Sequence, residues 1–168
     1  MGQIDLSILE TLKINSKFYI GNKRFSTKIE DYSFSGFSPF YPIETSKDIM
    51  FKKDFTNFGI FLYCRKLESA VLGFNVNQSV IDCLQIQGGR RRFKQLISIA
   101  WDRALLESLI LLAKKEKEIK AITIVPSFKV EGDINLMNPD KLRKRYDLNA
   151  KFFGFRYSNT EEKHILEV

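Results

Sequence analysis

The stretch from Val80 to Val125 constrains the fold more than any other part of the chain. Val80 to Gln87 reads VIDCLQIQ, in which Ile81, Cys83, Leu84 and Ile86 alternate with Asp82, Gln85 and Gln87. That is the two-residue period of a strand, and Gly88-Gly89 ends it. From about Phe93 to Glu118 the period changes. Phe93, Leu96, Ile97, Ala100, Trp101, Ala104, Leu105, Leu111 and Leu112 recur at helical spacing. Leu106, Leu109, Ile110 and Ala113 widen the stripe, so the spacing predicts a long, largely covered helix with a charged end over Lys114–Lys120. Ala121 to Val125 (AITIV) is short, apolar and β-branched, as a buried parallel strand is, and Pro126-Ser127 stops it. Strand, helix and strand in this order form a βαβ unit, which closes right-handed. The fold class is therefore α/β, a central mixed sheet flanked by helices.

The remaining segments fit around this unit. Residues 3–13 have the apolar spacing of a short helix, and Lys17 to Phe25 reads as a hairpin around Gly21-Asn22. Residues 31–50 alternate aromatics with Ser, Gly and Pro, and Pro39 and Pro42 exclude a helix. This segment is a packed loop or a lid facing a substrate. Gly59–Lys66 and Ala70–Asn77 read as strands joined by a turn over residues 66–69. Asn138-Pro139-Asp140 opens a helix that runs to about Phe153, and Gly154 ends it. Phe155–Tyr157 and Lys163–Val168 read as two last strands. With 168 residues and no repeat or low-complexity linker, the chain is expected to form one domain, 1–168.

Composition narrows the class further. Hydrophobic residues make up 44% and charged residues 28%, which excludes a disordered chain. Cys64 and Cys83 sit in apolar runs and read as buried thiols in a reducing compartment. With His164 as the one histidine, no mixed Cys/His metal site is expected, and its setting beside Glu161, Glu162 and Lys163 reads as a solvated strand edge. The start lacks the pattern of a signal peptide, and Asp102, Arg103 and Glu107 interrupt the most apolar segment. A cytoplasmic protein without membrane contact is expected. The formal net charge of +7 suits an anionic partner: a nucleotide cofactor, nucleic acid or an acidic surface.

Three pieces in order resemble the GNAT superfamily of N-acyltransferases: QIQGGRRRF opening a long helix, AITIVPS after it, and a helix ending Ala150-x-x-x-Gly154-Phe155. The likeness covers residues 59–168, the half that binds acyl-CoA in that family, while residues 1–58 diverge. The resemblance implies an acyl-CoA such as acetyl-CoA as co-substrate and a small-molecule or protein amine as acceptor. Backbone groups of Leu84, Gln85, Ile86 and Gln87 would pair with the pantetheine arm as an added strand. Gly88, Gly89, Arg90, Arg91 and Arg92 would receive the phosphates, with glycines letting amides approach closely. Arg90 stands where the family has a small residue. Ser127 follows the strand that splays away from its neighbour. Asp82 is the strand carboxylate that the resemblance offers as a base; the other reading of it is a surface strand residue. The tyrosine that protonates the leaving thiolate in that family is replaced by Ala150, and Tyr146, one turn earlier, is the nearest phenol, reaching the thiolate only if the helix is shifted and otherwise a packed residue. Two other classes stay open: a binding or assembly module of the same fold without catalysis, and a nucleic-acid-binding protein using Arg90 to Arg92, Lys94 and Lys141-Arg143-Lys144-Arg145. Acceptor, acyl chain and oligomeric state are not readable from these residues.

Overall fold

The computed structural model describes residues 18–20, 23–31, 56, 58–64, 67–88, 100–130 and 138–168. The expected helix over 3–13, the aromatic segment 31–50 beyond Asp31, and Gly89 to Arg92 lie outside the described residues. Among the described residues eight strands form one sheet: β1 (Phe18–Ile20), β2 (Lys23–Asp31), β3 (Phe58–Cys64), β4 (Leu67–Asn77), β5 (Val80–Gly88), β6 (Ala121–Ile124), β7 (Arg156–Ser158) and β8 (Lys163–Glu167). Their order across the sheet is β1-β2-β3-β4-β5-β6-β8-β7. The β5–β6 pair is parallel and the other described pairs are antiparallel. The reason is the connection: helix α1 (Trp101–Lys115) lies between β5 and β6, so the chain returns in the same direction.

One face of the sheet carries the main core. Ile60, Leu62, Leu72, Phe74, Ile81, Cys83, Ile86, Ile122 and Ile124 are buried there under Leu105, Leu106 and Leu109 of α1. The covering helix is shorter than the expected 93–118 at its C-terminal end. It stops at Lys115, and Glu116 to Lys120 form a turn held by Glu116 N–H to Ala113 O and Ile119 N–H to Glu116 O. The carbonyl of Ser79, at the β4–β5 hairpin, accepts from Lys120 N–H at 2.7 Å and Ala121 N–H at 3.4 Å. The tip of one hairpin thereby fixes where β6 begins. The turn expected over 66–69 is also shorter, since β4 already starts at Leu67.

The C-terminal helical segment departs from the single helix expected. It comprises α2 (Pro139–Arg143), a π-helical turn (Lys144–Leu148) and α3 (Asn149–Phe152). Its ends follow the local chemistry. The Asn138 side chain accepts from Asp140 N–H at 2.9 Å, Pro139 occupies the first turn, and Gly154 closes the segment at φ +84°. Among the described residues no helix is long and apolar enough to cross a membrane.

Leu109 is fully buried beneath α1, whereas Leu111 on the same helix is 52% exposed. Leu109→Ala is expected to lower the unfolding free energy by about 2–5 kcal/mol, and Leu111→Ala to change it by less than about 0.5 kcal/mol. Urea titration followed by circular dichroism checks both.

Candidate functional site at the β5–β6 splay

Two local features open a gap in the middle of the sheet. The first is the end of β6. Cys83 pairs with Ile124, Val125 N–H reaches Cys83 O at 3.4 Å, and Pro126 then has no N–H to continue the ladder. The second is an irregularity in β5. Phe74 pairs with Cys83 but Gly73 pairs with Gln85, so Leu84 is an extra residue. Such a bulge reverses which residues point inward. The burial pattern shows it: Ile81 and Cys83 are buried, then Ile86. The apolar run Ile81, Cys83, Leu84, Ile86 changes phase between Cys83 and Leu84, and this was the signal in the sequence for the bulge.

Beyond that point β5 has β4 on one side and, among the described residues, no strand on the other. Ile86 turns its amide and carbonyl toward the gap, and side chains from the π-helical turn meet them. Ile86 N–H donates to Tyr146 Oη at 2.8 Å, and Arg145 Nη1 donates to Ile86 O at 3.2 Å. Tyr146 is 1% exposed, and burial pushes its hydroxyl well above the usual phenol range. Arg145 also lies over the Trp101 ring, 4.9 Å from its centroid. Of the basic cluster at 141–145, Lys141, Arg143 and Lys144 are exposed while Arg145 is turned inward. The cluster is not one basic surface.

The other candidates on β5 divide between the two faces. Gln85 and Gln87 bond to each other, Nε2 to Oε1, at 2.6 Å. Leu84 is half-buried and Gly88 ends the strand. Asp82 lies on the face opposite Cys83. Thr123 Oγ1 at 2.5 Å and Lys163 Nζ at 2.7 Å donate to its Oδ1, and Asn77 Nδ2 at 2.8 Å donates to Oδ2. Burial works to raise this carboxyl, but the hydrogen bonds from Lys163, Thr123 and Asn77, with the Lys163 charge, outweigh it and hold Asp82 below the ordinary aspartate range. A carboxylate held this way is a weak proton acceptor. These contacts make it a strut between β5, β6 and β8.

Ser127 is not aimed at β5. Its N–H donates to Asp147 Oδ1 at 2.9 Å and its hydroxyl to Asp147 Oδ2 at 2.5 Å. His164 completes the group, with Nε2 at 3.0 Å from Asp147 Oδ1. The expectation of a solvated edge for His164 is corrected on both counts. β8 lies between β6 and β7, and the His164 side chain is 13% exposed. Sequence gave no sign of this contact, because Asp147 and His164 belong to a helical turn and a strand whose approach depends on the whole fold. Burial raises the Asp147 carboxyl, and the bonds from Ser127 and His164 more than reverse this, so it too stays below its ordinary value.

Two expected outcomes test this geometry. Asp82 and its partners contribute stability above about pH 4, the unfolded aspartate range, and that contribution disappears as pH falls through the lower folded value. Asp82→Asn should therefore be less stable than the wild type at pH 7, with the gap closing on acidification; thermal melts between pH 7 and pH 2 measure it. Tyr146→Phe removes the acceptor for a buried amide and should cost about 1–3 kcal/mol, with faster hydrogen exchange at Ile86.

No protein-family model matches the chain, and no curated protein matches it. Among solved structures the chain is similar to an acetyltransferase of the GNAT family from Streptococcus pneumoniae, at 12% identity and a TM-score of 0.46, covering 66% of this chain and 66% of that one. It is also similar to a GNAT-family N-acetyltransferase from Escherichia coli in complex with CoA, at 12% identity and a TM-score of 0.45, covering 89% of this chain and 84% of that one.

Proposed function

We propose that the chain is an acyl-CoA-dependent N-acyltransferase that passes an acyl group, such as acetyl, directly to an amine within a ternary complex. One observation carries the reading: β5 outlasts its parallel neighbour, and the Ile86 amide and carbonyl face the resulting gap. An extended, amide-bearing arm adds to such an edge as a strand would. Seating it exchanges the bonds from Tyr146 and Arg145 for bonds to the arm. The Ile86 N–H, which now meets a hydroxyl oxygen at 2.8 Å, then serves a carbonyl oxygen of the donor. The Tyr146 hydroxyl, protonated throughout the neutral range, is released beside the gap as a hydrogen-bond donor for the departing sulfur. Gly88 ends β5, and Gly89, Arg90, Arg91 and Arg92, which follow it in sequence, would supply amides and charge for the phosphates.

The chemistry asks little beyond placement. An amine nitrogen attacks the thioester carbon, the C–N bond forms as C–S breaks, and no covalent enzyme intermediate is needed. Positioning of two reactants and a donor for the carbonyl oxygen supply most of the rate.

A second reading is a binding or assembly module of the same fold without catalysis. It is favoured by the same contacts seen from the other side: Tyr146 and Arg145 already close the Ile86 edge, and Lys163, Thr123 and Asn77 already engage Asp82. Calorimetric titration with acetyl-CoA separates the two. Micromolar binding, weakened at least tenfold in Arg90→Glu/Arg91→Glu, is expected for the transferase. No heat at millimolar acetyl-CoA favours the module.

A further inference from the structure

The register of the sheet sets one row of residues across five strands at the mouth of the gap: Phe74, Cys83, Ile124, His164 and Tyr157. Directly paired residues share a face, so His164 projects to the same side as Cys83 and Ile124. That is also the side on which the π-helical turn brings Tyr146 to Ile86. Asp147, the next residue, meets His164 there. The gap therefore has two polar walls. Ile86, Tyr146 and Arg145 form the β5 wall; Ser127, Asp147 and His164 form the β6–β8 wall.

The second wall has the parts of a proton-accepting site. Asp147 is ionised, so both its oxygens accept, and His164 Nε2, 3.0 Å from Oδ1, is the ring nitrogen placed to donate to it. In the neutral tautomer that does so, the lone pair lies on Nδ1. Two donations from Ser127 fix the carboxylate, and the Tyr157 ring stands edge-on to the imidazole with centroids 5.3 Å apart. The imidazole is thus held in one orientation while its side chain remains 13% exposed. Asp82, by contrast, is on the other face of the sheet and already accepts three hydrogen bonds.

We propose that His164 is the base of the acyl transfer, positioned by Asp147 and Ser127, and that its acceptor is a primary amine that arrives protonated. The inference rests on the acyltransferase reading. The ammonium gives one proton to His164 Nδ1. The neutral nitrogen attacks the thioester carbon, the C–S bond breaks, and the second N–H proton ends on the CoA sulfur, giving amide and free thiol.

The chain has one histidine, so every imidazole signal belongs to His164. Acetyl-CoA added to the wild-type protein should shift the His164 imidazole resonances and slow its carbethoxylation by diethyl pyrocarbonate at least about fivefold. Nitrogen-15 shifts should report the Nε2–H tautomer, and Asp147→Asn should mix the two tautomers. Thiol release at pH 7 with ethylamine, which is protonated, should fall about a hundredfold in His164→Gln. With hydroxylamine, which is already neutral, the loss should stay within about threefold. Binding of acetyl-CoA with neither His164 readout changed overturns the assignment and leaves the acyltransferase reading standing, as does an equal loss with both amines. No binding of acetyl-CoA overturns both.

Discussion

A strand that outlasts its neighbour leaves backbone groups that have to find other partners. β5 meets this condition past Cys83, where Pro126 ends the ladder to β6. Water satisfies such groups at a surface, but Ile86 is 1% exposed. Its amide and carbonyl are instead met by Tyr146 and Arg145. The placement of the whole C-terminal helical segment follows from this need. Tyr146 has to reach in, so the π-helical turn lies over the gap; Asp147 is thereby brought to Ser127 and His164, and Arg145 to Trp101.

The regular parts of this architecture were legible in the residues. β5, α1 and β6 follow from the two-residue and 3.6-residue periods of VIDCLQIQ, the Trp101–Ala113 stripe and AITIV. Asn138, Pro139 and Gly154 marked the ends of the last helical segment because capping is local chemistry. The site was legible only where it is local. The strand edge from Leu84 to Gly88 could be read, as could Tyr146 as the nearest phenol. The partners of Asp82 could not, since Asn77, Thr123 and Lys163 come from three strands brought together by register. Nor could the π-helical turn, whose residues have ordinary helical propensities, or the pairing of Asp147 with His164, which are joined only through the order β6-β8-β7.

The two carboxylates next to β6 show how the sheet sorts chemistry by parity. Asp82 pairs in register with Thr123, and Cys83 with Ile124, so neighbouring positions serve opposite faces. The same alternation on β8 sends Lys163 to Asp82 and His164 to Asp147. Adjacent residues thus carry separate duties. One face receives an ion pair that ties three strands; the other receives a carboxylate–imidazole pair at the mouth of the gap. A one-residue slip of β8 would exchange Lys163 and His164 between the faces and break both pairs at once.

The π-helical turn has a consequence for how this chain tolerates changes of length. A π turn accommodates one residue more than an α-helical turn over nearly the same rise. Between Arg143 and Asn149 the chain therefore carries a removable residue, and a deletion there would leave a continuous α-helix. The helix ends would stay in place, with Asn138 still capping and Gly154 still closing. Only the residues inside the turn would change place relative to the sheet. Tyr146 and Asp147 would leave their partners while most of the core stayed covered. A lineage that lost one residue here would keep the fold and lose the two walls of the gap together, which makes the length of this segment a more telling character among relatives than the identity of any single residue in it.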